Sequence, residues 1–291
     1  MNDIAKKLFE EAEKLIKNGR YREAIPKLLR LKRLTQRDGE QEEVLYNLGL
    51  SYLMLNRFTR AADIFKRLSR SNPDSALYYY MLGLANLKRA DLKEALWNFK
   101  KANHLSPTEK EFTRKYGWTL CLMGKRRGEK ILENLFQQDV SDTDVAVDYI
   151  LCLLKNKKIE KAKWIMELNS RYNPASPELE ELRMIIEKPE RISEMFVSFN
   201  ELKTLAILME KSNFDETLFE EVSSIFLGLK GKLYKRIKKP EVWAASLEFL
   251  VKFLKGKDMD REERLIAKKY KVEIREIKRK VSQMMEVLLN G

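Results

Sequence analysis

One histidine, His104, stands in a chain of 291 residues, and it precedes Leu105-Ser106-Pro107. At a helix end a lone imidazole complements the dipole, and no base or acid is at hand to make it a catalyst. No Ser/His/Asp set, Cys/His metal spacing, Walker loop or dinucleotide glycine turn accompanies it. The run Gly228-Leu229-Lys230-Gly231-Lys232 has the residue types of a phosphate loop but neither its spacing nor a preceding strand. The acid pairs Glu42-Glu43, Glu180-Glu181, Glu220-Glu221 and Glu262-Glu263 are adjacent, which points them about 100° apart on a helix and suits solvated faces. Cys121 and Cys152 stand among leucines and are expected as separate buried small hydrophobes, not as a disulfide or a ligand pair. The sequence therefore predicts no catalytic residue, no cofactor, no metal and no enzyme.

The chain does carry a period. Gly49, Gly83 and Gly117 are 34 residues apart, and a pattern of apolar and small residues repeats around them. Leu45, Leu48, Tyr52, Phe58, Ala61, Phe65 and Pro73 are matched by Tyr79, Leu82, Asn86, Leu92, Ala95, Phe99 and Pro107. This pattern resembles the tetratricopeptide repeat, in which each unit is two antiparallel helices that cross at small residues. The resemblance implies an all-α, right-handed α-solenoid of about five units. A single unit cannot bury its apolar face alone, so neighbours must stack.

Units are expected at about 5–38, 42–75, 76–109, 110–142 and 143–176, with a capping helix over 177–188. In the first, Gly19, Tyr21, Ala24 and Leu28 fit, Pro26 predicts a mild bend, and Arg37-Asp38-Gly39 lengthens the loop that follows. The fourth is degenerate: it keeps Tyr116, Gly117 and Gly124 but has Glu129 in the alanine position and Ser141 in the proline position. Tyr149, Ala162, Met166 and Pro174 restore the pattern in the fifth. Beyond Pro189 the period ends, and residues 189–291 are expected to form a second helical domain, a bundle with helices at about 190–211, 215–237, 241–255, 260–270 and 274–289. Ile192, Met195 and Phe196 open the first of these, and Lys188-Pro189-Glu190 is the expected linker.

In tetratricopeptide domains the first helix of each unit lines the concave side. The resemblance thus implies a groove of Phe9, Tyr46, Asn47, Leu50, Met54, Tyr80, Met81, Leu84, Lys88, Arg114, Lys115 and Trp118, apolar with a basic margin at the fourth repeat. Such a surface suits an amphipathic helix or an extended peptide with apolar anchors. The other outcome is that the chain's own C-terminal helices fill it. The positions of the family's chaperone-tail clamp hold Phe9, Glu13, Asn47, Leu77 and Met81, of which only Asn47 suits a carboxylate.

Of the net charge of +13, the segment Gly228–Lys239 supplies +6 with no acid, and residues 240–291 add +3 from 12 basic and 9 acidic side chains. A focused basic field attracts nucleic acid or acidic proteins, although a solvated lysine-rich face has the same composition. Pro240 to Ile277 resembles the end of a cyclin-type repeat of the general initiation factor B family and, more broadly, a bacterial helix-turn-helix. Ala267, Val272 and Ile277 match its small and apolar positions, Asp260 and Glu263 form a capping pattern, and Lys271 replaces the usual turn glycine. That resemblance implies nucleic-acid contact through Lys268, Lys269, Arg275, Lys278, Arg279 and Lys280. No run approaches 18 apolar residues and Met1-Asn2-Asp3 opens no leader pattern, so no membrane segment and a cytoplasmic location are expected. The function this favours is a protein-interaction scaffold, the alternative a nucleic-acid-binding regulator.

Overall fold

Turn chemistry sets the repeat. In a computed structural model that describes residues 3–35, 38–187, 198–230, 232–234 and 237–290, one residue per hairpin takes positive φ: Gly19, Asn56, Ala90, Gly124 and Lys157. The amide that follows each donates to a carbonyl five residues back, at 2.8–2.9 Å in all five, which closes the first helix and starts the second. The helices so joined are α1 (Asp3–Lys17) with α2 (Tyr21–Leu34), α3 (Asp38–Met54) with α4 (Phe58–Ser71), and α5 (Ala76–Lys88) with α6 (Leu92–Leu105). They continue as α7 (Lys110–Leu122) with α8 (Arg126–Gln138) and α9 (Thr143–Lys155) with α10 (Ile159–Ser170), followed by α11 (Pro177–Ile186). The helix α3 already begins at Asp38, so Asp38 and Gly39 extend a helix and not the loop, because the backbone there is already helical. Arg37 lies outside the described residues.

The 34-residue glycines mark where paired helices touch. A methyl group at Gly49 would meet Phe65 at 2.8 Å, one at Gly83 would meet Phe99 at 2.7 Å, and one at Gly117 would meet Ile131 at 2.9 Å. The second contact column is Ala24, Ala61, Ala95 and Ala162, all fully buried. In the fourth repeat Gly128 makes the closest approach, since a Cβ there would stand 2.5 Å from the Gly117 carbonyl. Its neighbour Glu129 accepts from Asn156 Nδ2 at 2.8 Å and Lys158 Nζ at 2.6 Å. The loss of alanine thus becomes a tie to the next hairpin.

Cys121 and Cys152 are buried as expected, but the expectation that they are unpaired is corrected: they form a disulfide with Cα atoms 5.6 Å apart. Cys152 lies 34 residues beyond Trp118, one helical turn before Cys121. The side-by-side packing of α7 and α9 brings that turn within bonding range.

The chain divides into two compact units, residues 1–196 and 197–291. The second contains α12 (Phe199–Lys211), α13 (Glu216–Gly228), α14 (Pro240–Leu254), α15 (Met259–Tyr270) and α16 (Ile274–Asn290). Ile192, Met195, Phe196 and the linker Lys188-Pro189-Glu190 lie outside the described residues. Among the described residues all sixteen elements are helical, with one isolated bridge from Lys230 to Tyr234. At the centre is α14, buried on every side from Val242 to Val251. Around it pack α12, α13, α15 and α16.

Two expectations here are corrected. The helix expected over 215–237 stops at Gly228, because the chain folds back to place Leu229, Tyr234 and Ile237 in the core. Tyr234 stacks on Phe226 with centroids 5.6 Å apart, and its hydroxyl donates to the Phe226 carbonyl at 3.1 Å. The cap of α15 is Asp258, which accepts from the Asp260 amide at 3.2 Å, so Asp260 lies inside the helix. Lys271 does take the left-handed turn, at φ 58° and ψ 49°.

Candidate protein-binding groove

Four residues at one repeat position organise the face made by the first helices. Tyr46, Tyr80, Arg114 and Asp148 are each 34 residues apart. Tyr46 lies edge-on to Phe65 at 6.1 Å and near Tyr78 at 6.3 Å. Tyr80 packs on Phe99 at 5.9 Å and Phe112 at 4.8 Å, and its hydroxyl donates to Glu111 Oε1 at 2.8 Å. Burial, and then the Glu111 carboxylate, hold the Tyr80 hydroxyl far above its ordinary value, so it stays a donor.

Arg114 continues the column in ionic form. Its Nε donates to Glu111 Oε2 at 2.7 Å, and its guanidinium donates to Asp148 Oδ2 at 3.0 Å and to the Asp144 carbonyl at 3.2 Å. Arg114 and Asp148 are only 8% and 7% exposed. Lys115 lies 3.8 Å from the same Asp148 oxygen. Burial pushes the Asp148 carboxyl above its usual range, and Lys115 and Arg114 pull it back. A chain of polar contacts thus runs Tyr80–Glu111–Arg114–Asp148 across the third, fourth and fifth repeats.

The cations of the expected basic margin are therefore spoken for. Beside them a cleft of about 730 Å³ is walled by Asp142, Asp144, Asp148 and Glu178, so the charge around it is more acid than base. Of the other groove residues, Met54 is 51% exposed and Lys88 is exposed, while Phe9, Asn47, Leu50, Leu84 and Trp118 are half-buried. Met81 is 5% exposed and belongs to the core between units. Asp148 went unforeseen, although the same 34-residue step from Arg114 leads to it.

Residues 9–68 and 46–107 match the family model described as tetratricopeptide repeat. Over residues 9–107 the chain carries tetratricopeptide repeats. Of solved structures, a tetratricopeptide repeat protein from Parabacteroides merdae shares 11% identity, with a TM-score of 0.53, over 97% of this chain and 98% of that one. A thermophilic TPR protein from Thermus thermophilus shares 19% identity, with a TM-score of 0.51, over 63% of this chain and 98% of that one. At such identities the likeness is one of fold. The BBSome complex member BBS4 of Bos taurus is 31% identical over 120 residues, which is 41% of this chain and 22% of that protein. The chain thus spans about a fifth of the length of the curated relatives it matches.

The cations expected to meet nucleic acid are scattered among different tasks. Lys269 donates to Glu248 at 2.6 and 2.9 Å, where Tyr270 also donates at 2.7 Å. Lys278 pairs with Glu263 at 2.6 Å. Lys268 and Arg275 are exposed, and Arg279 and Lys280 line a cleft with Lys238 and Lys239. Among the described residues no helix is long and apolar enough to cross a membrane, and no cluster suits a metal ion.

Proposed function

We propose that this protein is a non-enzymatic adaptor that holds a segment of another protein against the first helices of its second and third repeats. The observation that carries the reading is the pair of half-buried steps Tyr46-Leu50 and Tyr80-Leu84, backed by rigid ring contacts and flanked by the exposed Met54. Pre-packed aromatic and aliphatic side chains offer contact area at small entropic cost, which suits apolar anchors of a helix or an extended peptide. The relative in Bos taurus is by name a member of the BBSome complex, in keeping with such a role. A peptide-display selection against the full chain tests it. Selected sequences are expected to carry apolar anchors and to lose at least about tenfold in affinity on L50K/L84K, since burying an unpaired charge is costly. Peptides indifferent to that pair would sink the reading.

Nucleic-acid binding through the C-terminal unit is the second reading, and it rests on Lys268, Arg275, Arg279 and Lys280, since Glu248 and Glu263 engage Lys269 and Lys278. A mobility shift that weakens steeply with salt is its expected sign.

A further inference from the structure

In the C-terminal unit two short segments bring positive charge to one place. Lys238 and Lys239 precede α14, Arg279 and Lys280 lie on α16, and all four line a cleft of about 540 Å³ whose one acid among the described residues is Glu276. Lys239 pairs with Glu276. Lys238, Arg279 and Lys280 have no carboxylate partner among the described ion pairs, so the described lining carries a net charge of +3 from four cations and one acid. Its wall is Trp243, over whose ring the Lys280 amine lies 4.5 Å from the centroid while donating to Gln283 at 2.7 Å. The first turn of α14 opens on the same cleft at Val242, and its N-cap Lys239 supplies no side-chain bond to the free amides there. Burial and the neighbouring Arg279 press the Lys280 amine below its ordinary value.

The geometry points to a binding site for a small, multiply phosphorylated anion, held by Lys238, Arg279 and Lys280. Three features select a compact polyanion over a nucleic-acid strand. Cations from two segments converge on one cleft and do not form a track along a face. The aromatic side chains at the site, Trp243 and Tyr234, are 5% and 7% exposed, so their faces are already covered and offer a base nothing to stack on. Arg279 supplies a planar fork for phosphoryl oxygens, and the two lysines supply point charges. The chemistry is shared by the phosphate chain of a nucleoside triphosphate and the ring phosphates of an inositol polyphosphate.

Isothermal titration of the full chain with inorganic tripolyphosphate, near physiological salt, reads the site directly. Binding is expected, and K238Q/R279Q is expected to weaken it about a hundredfold, tenfold for each charge-assisted contact removed. The control pair K268Q/R275Q removes equal charge from the same unit and is expected to change it less than about threefold, the screened effect of distant charge. Circular dichroism is the check that both variants are folded, and Lys280→Met, which keeps its stem on Trp243, is expected to weaken binding without unfolding the unit. Titrations with ATP and inositol hexakisphosphate then separate the two sources: tighter binding than tripolyphosphate by one of them names it. No binding of any of the three, equal losses in the two charge pairs, or preference for an oligonucleotide at equal phosphate concentration would overturn the assignment.

Discussion

The second and third repeats and the fourth and fifth share one hairpin and hold it in different ways. In the former, Phe65 and Phe99 fill the space left by Gly49 and Gly83, and Tyr46 and Tyr80 rest on those rings. In the latter, the same column holds Arg114 and Asp148, Glu129 reaches Asn156 and Lys158, and a disulfide joins α7 to α9. Apolar packing tolerates repetition because it has no direction, whereas each ionic or covalent tie needs one partner at one distance. The half that departs most from the repeat pattern is therefore the half most specifically cross-linked.

Reduction of the disulfide is the largest expected blow to this contrast. It closes a loop of 31 residues, and opening it is expected to cost about 3.5 kcal/mol in the chain-entropy account. Because a solenoid is held by neighbour contacts, the loss should stay local. Amide exchange should accelerate in α7–α10 and keep its rate in α3–α6, and a uniform acceleration would erase the distinction between the halves. Next comes Gly128→Ala, which drives a methyl into backbone and is expected to destabilise by about 3 kcal/mol in urea unfolding, against about 1–2 for Gly83→Ala, where a ring can shift. Equal costs would mean that the fourth crossing is no tighter than the third.

Arg114→Met tests the ionic column. It leaves Asp148 buried without its guanidinium, at an expected cost of about 2–3 kcal/mol at neutral pH, less than for a fully enclosed pair because the cleft admits water. The sign of the pH dependence follows from burial, which already raises the Asp148 carboxyl. A raised folded-state value makes the proton more tightly held in the folded chain, so stability from it is present at low pH and is lost as pH rises through that value. The deficit of the variant relative to the parent should therefore shrink between pH 7 and pH 4; a deficit that grows instead would show that Asp148 is not left charged in a dry site. The smallest effect is at the turns. Lys157 holds positive φ without being glycine, and Lys157→Gly is expected to stabilise by about 0.5–1 kcal/mol, measured as a shift of the unfolding midpoint at constant slope.

Gly49, Gly83 and Gly117 revealed the period, since two helices that touch closely have no room for a side chain at the contact. Tyr46, Tyr80 and Arg114 were legible for the same reason, and Asp148 follows by one more step. The pairing of Cys121 with Cys152 was not legible, since 31 residues is the repeat less one helical turn. Arg114 reads as a groove cation in one dimension and is a buried link in three. In the C-terminal unit nothing repeats, so charge runs such as 230–239 gave no hint that the chain leaves its helix at Gly228.

The sequence by itself determined the helix pairs, their turns and the order of stacking, because these depend on residues within about 34 positions of one another and recur with each unit. Tertiary structure alone decided which charges are spent on carboxylates and which are not, as Lys269 and Lys278 beside Arg279 and Lys280 show. A side chain's charge is local to its residue, but the field it presents depends on every element packed against it.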